Sequence, residues 1–206
     1  HLLPDGISSH GKTPSQLSES IDSPASTAAF PRLILDFSEV SLSNRIIRNK
    51  DFSRAYLEQS NLVNVTFVEC NFESAVFVRS EITGCLFQNC DFRKSNLGAS
   101  RISTSQFRHC NMEETVLSSA RITEGEFLRC DFSQNIAKKL ILADSKIRNT
   151  SLIGVILEEC EFRKVEIAET RLERVIFKGF NSTATKLIDS EIVRCMWLDS
   201  KLTNLG

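Results

Sequence analysis

Large apolar residues return at every fifth position along most of this chain. A period of five matches neither the 3.6 residues of an α-helix turn nor the two-residue alternation of an ordinary strand, so it marks an internal repeat. The period never slips across residues 62–132, and the same phase extends over residues 37–202, where only Ala137 and Ser182 are not large and apolar. The repeat therefore organises nearly the whole chain.

A second rule applies two residues before each large apolar position, where the residue is nearly always small. Two inward positions that flank one outward residue, as in Val65, Thr66 and Phe67, give a short strand-like alternation. The two polar residues that usually follow can form a corner. Because one such unit cannot bury its own apolar side, the units must stack on one another, and the pattern predicts a solenoid.

Several of these units, such as Cys70-Asn71-Phe72, resemble the pentapeptide-repeat family, whose units read roughly Ala-Asp/Asn-Leu-X-X. The resemblance covers about residues 37–202. It implies an all-β fold, a right-handed quadrilateral parallel β-helix with four pentapeptides per turn, which this chain would complete about eight times. Alanine is often replaced by Cys, Ser, Thr or Val, and the Asp/Asn position is common on one face only, so the subfamily stays open.

Four faces per turn require a twenty-residue period, which the sequence tests independently. Residues of one type do recur at this spacing, in the ladders Cys70, Cys90, Cys110 and Cys130; Phe67, Phe87, Phe107 and Phe127; and Ile82, Ile102 and Ile122. The four-sided fold therefore agrees with the order of residues in the chain.

The sequence divides into three regions. Residues 1–29 are rich in Pro, Ser, Thr and Gly and form a predicted flexible polar leader or linker. The apolar segment 30–37 is the predicted N-terminal cap, and 38–206 the repeat region. Because the chain begins with His1, we expect a processed product or an excised domain, with a further domain or a second copy meeting its C-terminal end. Local bulges or repacked corners are expected at 135–139 and 180–184.

Charge and hydropathy exclude several classes of protein. The 25 basic and 26 acidic residues give a net charge of −1, whereas nucleic-acid binders normally carry a basic excess and DNA mimics an acidic one. Nucleic acid is therefore an unexpected partner. No apolar run is long enough to span a bilayer, so no membrane span is expected.

All seven cysteines occupy the same small inward position of the repeat. This placement favours buried, structural thiols over a metal site or a redox centre, since no Cys-X-X-Cys pair or suitably spaced His accompanies them. Reduced thiols suit the cytoplasm, or the cytoplasm of a host cell for a secreted protein. We expect no metal and no cofactor.

Catalytic chemistry finds little support in the sequence. His1 and His10 lie in the leader, and His109 is predicted at an outward corner, away from the inward thiols. Nucleophilic catalysis needs a nucleophile and a base within hydrogen-bonding distance, and no Gly-rich phosphate loop is present. We therefore expect no catalytic residues and no enzyme activity within this chain.

One outward column of the repeat is unexpectedly apolar. It has one residue per coil and forms the candidate interaction stripe, which consists of Tyr56, Val76, Val116, Ile136, Ile156, Ile176 and Met196. An apolar stripe in solvent suggests a contact with another protein or a second copy of the chain. Cover by the leader, or a role in sheet propensity alone, are the alternatives.

These features favour a non-catalytic protein-interaction scaffold. The family resemblance adds that some bacterial secreted effectors carry such a region, in certain cases ahead of a ubiquitin-ligase domain, so the chain is interpreted as the partner- or substrate-binding region of a larger effector. The alternative, from another branch of the family, is a DNA-mimicking inhibitor or protector of DNA gyrase. The column Asp51, Asn71, Asp91, Asn111 and Asp131 would serve that role, although Arg54, Arg93 and Lys94 offset its charge.

Overall fold

The computed structural model describes residues 35–203, which form three-residue strands and turns without any helix. The predicted leader, residues 30–34 of the predicted cap and residues 204–206 of the predicted repeat region lie outside the described residues. Of the cap, Leu35 packs against the core, and the buried ring of Phe37 lies edge-on to Phe52 with centroids 5.9 Å apart.

The strands stack into four parallel faces, because each pentapeptide pairs with the pentapeptide twenty residues later. Face 1 contains β1 (Ser41–Ser43), β3 (Asn61–Val63), β5 (Glu81–Thr83), β7 (Arg101–Ser103), β9 (Arg121–Thr123), β12 (Ile141–Ala143), β16 (Glu161–Arg163), β20 (Asn181–Thr183) and β24 (Lys201–Thr203). Face 2 contains β2 (Ile46–Arg48), β4 (Thr66–Val68), β6 (Leu86–Gln88), β8 (Gln106–Arg108), β10 (Glu126–Leu128), β13 (Lys146–Arg148), β17 (Glu166–Ala168) and β21 (Lys186–Ile188).

The other two faces begin as ladders of single bridges and continue as strands. Face 3 runs through bridges from Asp51 to Ser151 and then through β14 (Ser151–Ile153), β18 (Arg171–Glu173) and β22 (Glu191–Val193). Face 4 runs through bridges from Asp36 to Ile136 and then through β11 (Ile136–Lys138), β15 (Ile156–Glu158), β19 (Ile176–Lys178) and β23 (Met196–Leu198). The predicted parallel β-helix of about eight coils is confirmed.

Aromatic rings fill the centre of the coil stack. On face 2 the rings of Phe67, Phe87, Phe107 and Phe127 stack in one column, with centroids 5.1, 4.8 and 5.0 Å apart. Rings on face 3 meet this column edge-on, as Phe72 does against Phe67 at 5.2 Å. Alternating stacked and edge-on contacts suit the charge distribution of aromatic rings, so the core is specified by geometry as well as by burial.

The small inward position also has a hydrogen-bonding role, which explains its preference for Cys, Ser and Thr. Cys110 Sγ donates to the carbonyl oxygens of Phe87, at 3.4 Å, and Arg108, at 3.5 Å. Ser105 Oγ makes the equivalent pair of bonds one corner away. A side-chain donor at this position links two successive coils, which alanine cannot do.

Corners are formed by a residue with positive φ, the fifth of nearly every pentapeptide. Most of these residues are not glycine; Ala99 has φ +55° and Thr104 φ +48°. On faces 3 and 4 of the earlier coils, an i to i+3 hydrogen bond closes the turn, as from Ala75 N–H to Phe72 O at 2.9 Å. The last closed turn runs from Phe132 to Asn135, after which strands replace closed turns on both faces.

Thr104→Gly is expected to stabilise the protein by roughly 0.5–1 kcal/mol. A β-branched residue is strained at positive φ, and glycine relieves that strain. The free energy gained in this way exceeds the cost of the extra conformational entropy that glycine gives the unfolded chain. Thr104 is exposed, so little packing is lost. Thermal denaturation should show a higher midpoint, whereas Thr123→Gly, inside β9, should lower it. A lower midpoint for both variants would contradict the assigned corner strain.

Both interruptions of the repeat keep its register. Ala137 still pairs with Leu157, and a void of about 50 Å³ lies along the core next to it. At the second interruption the ring of Phe180 occupies part of the space that Ser182 leaves, contacting Phe162 edge-on at 4.9 Å, and a cavity of about 230 Å³ remains beside both residues. The second site is a repacked corner, as expected, and neither site contains an inserted loop.

Candidate interaction surface

The seven residues of the candidate interaction stripe lie in one outward ladder on face 4. Bridges connect Tyr56 to Val76, and Val116 to Ile136, and strand pairing continues the column from Ile136 through Ile156 and Ile176 to Met196. Each residue precedes an inward core residue, so its side chain points away from the core. Eight rungs spaced by about 4.8 Å make the column about 34 Å long.

The stripe is accessible over much of its length. Ile136 is 58% exposed, Met196 52%, Tyr56 40% and Val116 38%, while Val76, Ile156 and Ile176 are half-buried. Asn96 interrupts the column between Val76 and Val116, and its side-chain oxygen accepts a hydrogen bond from Gly98 N–H at 2.9 Å. The apolar surface is therefore continuous from Val116 to Met196.

A ladder of alternating charge lies beside the stripe on the same face. Glu158 forms one ion pair with Lys178, at 3.0 Å, and another with Lys138, at 3.6 Å. Lys178 and Lys138 lower the pKa of Glu158. At the adjoining corner Lys139 lies 3.8 Å from Glu159. The sequence interpretation missed this ladder, although the recurrence of alternating charge at positions 138, 158 and 178 carries the signal.

Face 3 carries the acidic column considered as a phosphate mimic. Its carboxylate and amide oxygens accept hydrogen bonds from the backbone two residues ahead, as Asp131 does from Ser133 N–H at 2.9 Å. This local bond stabilises the closed turns and accounts for the Asp/Asn preference. Arg93 also pairs with Asp91 at 2.6 Å, and although burial opposes it, the hydrogen bonds from Arg93 lower the pKa of Asp91. These contacts reduce the negative field of the column.

The cysteines lie inside the corners, and all seven are free thiols. The neighbouring thiol of Cys90, together with burial, raises the pKa of Cys70, and burial raises the pKa of Cys160 to about 11. His109 is exposed at a corner of the coil, where its φ is +53°. Within residues 35–203, no group of three or more His, Cys, Asp or Glu side chains could hold a metal ion.

Alkaline pH is expected to destabilise the fold through Cys160. Cys160 has a pKa of about 11 in the folded chain against an ordinary value of 9.0, so its contribution is complete below pH 9.0 and is lost as the pH rises through about 11. Between these values stability should fall by up to about 1.4 kcal/mol per pH unit for this thiol.

Urea denaturation at stepped pH, compared with Cys160→Ser, measures this contribution. Serine can donate to the same carbonyl oxygens of Ala137 and Glu158 and does not titrate in this range. The variant should lose less stability between pH 9 and 11 than the original chain. Equal losses in both proteins would contradict a raised pKa at this position.

Across residues 35–203 we find no helix with the length and hydropathy of a membrane span. Exposed apolar side chains also lie in the last coil, at Ile188, Ile192 and Trp197, but face 4 is the side of the rod on which they follow one another from coil to coil beside a charged ladder.

Comparisons with known proteins agree with the repeat. A profile described as "Pentapeptide repeat region" matches residues 80–157, and one described as "Pentapeptide repeats (8 copies)" matches residues 36–73 and 141–179. No curated protein sequence matches the chain.

Solved structures of the same shape include two trypsin-treated variants of QnrB1, a plasmid-mediated fluoroquinolone resistance protein. The first is 17% identical with a TM-score of 0.58 and covers 79% of this chain and 89% of its own. The second is 18% identical with a TM-score of 0.51 and covers 82% and 92%. At such identity the likeness establishes a common fold.

Proposed function

Because the chain belongs to the pentapeptide-repeat family, we propose that it is a non-catalytic rod that binds other proteins through the apolar stripe of face 4. The observation that carries this proposal is the ladder of Val116, Ile136, Ile156, Ile176 and Met196, which is apolar at every rung and accessible. Removing such side chains from water provides about 25 cal/mol for each Å² of apolar surface.

The surroundings of the stripe support a protein as its partner. A charged ladder borders the apolar column, so the face combines an apolar centre with a polar rim, the arrangement common in protein interfaces. A rigid β-helix presents this surface with little loss of conformational entropy on binding. In a larger bacterial effector the rod would act as the partner- or substrate-binding region.

Affinity capture with the combined variant Ile136→Lys, Ile156→Lys, Ile176→Lys tests this function. We expect a partner to bind the original chain and to lose at least about tenfold in affinity for the variant, because three charges would be buried without partners. The purified partner must then protect strands β11, β15 and β19 from hydrogen exchange.

A matched control places the same charges elsewhere. Thr66→Lys, Leu86→Lys and Gln106→Lys alter outward positions on consecutive rungs of face 2, and this variant should keep the partner. Both variants must first melt within a few degrees of the original chain. A partner lost equally from both, or from neither, would overturn the assignment of the binding surface to face 4.

A gyrase-directed DNA mimic is the second candidate, favoured by the fold shared with the fluoroquinolone resistance protein QnrB1. The balanced charge of the chain and the pairing of Asp91 with Arg93 argue against it. A supercoiling assay with purified DNA gyrase decides the matter. Inhibition of gyrase, or protection from a fluoroquinolone, at micromolar protein would support the mimic. The absence of both effects would exclude it.

A further inference from the structure

We propose that the partner of face 4 is a second copy of this chain, bound antiparallel so that the two stripes face each other. This inference rests on the proposed function, since it names the occupant of the same surface. It comes from the order of charges along the ladder beside the stripe, which sets two lysines of each copy against two glutamates of the other in one register only.

The charges on two adjacent rungs define that register. The rung of Ile136 carries Lys138 and, at its corner, Lys139, while the rung of Ile156 carries Glu158 and Glu159. A two-fold axis between these rungs, perpendicular to the rod, reverses the order of rungs in the second copy. Both lysines of each copy then lie opposite both glutamates of the other, as an isologous interface requires.

The same axis matches the apolar column to itself. Ile136 lies opposite Ile156 of the second copy, and Val116 lies opposite Ile176, so apolar residues meet along the central rungs. Lys178 lies opposite Ser118, which is uncharged. Moving the axis by half a rung, onto Glu158, would instead place Glu158 against its own copy and Lys138 against Lys178. Like charges would then meet, which disfavours that register.

The contact area sets the strength of this association. Six rungs, from Asn96 to Met196, overlap along about 24 Å, and one face is about 10 Å wide, which gives roughly 240 Å² per copy. Stable complexes bury about 800 Å² per partner, so the dimer belongs to the weak, transient class. We expect a dissociation constant on the order of 100 μM.

Two charge-reversed forms test the register. The acidic form carries Lys138→Glu and Lys139→Glu, and the basic form carries Glu158→Lys and Glu159→Lys. In sedimentation equilibrium, each form alone should dissociate at least about tenfold more readily than the original chain, because like charges meet. An equal mixture should recover the original affinity within about threefold, since each rung again meets its opposite charge. Weakening of both forms alone distinguishes this register from the one centred between the rungs of Ile156 and Ile176, where position 138 would face Leu198 and the acidic form alone would keep most of its affinity.

Control forms carry Lys146→Glu or Glu166→Lys, which reverse an in-register pair on face 2, and they should self-associate like the original chain. Loss of self-association in each acidic or basic form without recovery on mixing would overturn the antiparallel register. A monomeric original chain up to about 1 mM would overturn the second copy as partner. Suppose that the original chain is monomeric, but that the variant with lysine at positions 136, 156 and 176 loses a protein that the original chain captures. Face 4 would then remain a binding surface, and only the second copy as its partner would be excluded.

Discussion

Phe107→Asp is expected to unfold the β-helix at room temperature. The Phe107 side chain is fully buried, stacked between Phe87 at 4.8 Å and Phe127 at 5.0 Å, and edge-on to Phe92 at 5.8 Å. Aspartate would remove these contacts and bury a carboxylate with no cation nearby. Loss of a buried Phe costs about 3–5 kcal/mol, and the unpaired charge adds several more, against a typical total stability of about 5–15 kcal/mol.

Far-UV circular dichroism and urea denaturation measure this loss, with Gln106→Asp as the matched control. Gln106 precedes Phe107 in strand β8 and points outward, so the same carboxylate there remains solvated and should change stability by less than about 1 kcal/mol. Similar melting of Phe107→Asp and the original chain would show that position 107 is not in the core, and that the five-residue phase was assigned wrongly.

The fold could be predicted from sequence because every coil repeats the same physical demand. A buried position such as Phe107 is surrounded by equivalent residues twenty positions before and after it, so the periodicity that predicts its neighbours also predicts the register. Inward and outward assignments follow from the same phase. The seven stripe residues were placed correctly in one outward column for this reason, while their role in binding stays a prediction.

The remaining features depend on contacts that the phase does not encode. The change from closed turns to strands after Asn135 reflects backbone hydrogen bonds, which residue types at one phase predict poorly. Asn135 is buried, and neither of its side-chain amide atoms has a hydrogen-bond partner among the described residues. The pairing of Glu158 with two lysines also required the actual distance between coils.

Phe180 shows how a departure from the repeat is compensated, and Phe180→Ser is expected to destabilise the chain by about 3–5 kcal/mol. Phe180 occupies the repeat position that usually holds a small residue. Its ring is buried and contacts Phe162, Phe177 and Trp197 edge-on. Ser182, at the large position, is buried beside it without a partner for its hydroxyl among the described residues. The two positions have therefore exchanged their usual sizes.

Exchanging them back should restore most of the lost stability. Ser182→Phe alone places a second ring beside that of Phe180 at the edge of a cavity of about 230 Å³, so overpacking should cost no more than about 1–3 kcal/mol. In the double variant Phe180→Ser, Ser182→Phe, the new ring occupies the large position between Phe162 and Leu202, and stability should return to within about 1 kcal/mol of the original. Urea denaturation of all four proteins gives the coupling energy between the sites. Additive losses would show that Phe180 does not fill the space left by Ser182, because only shared space makes one substitution compensate for the other.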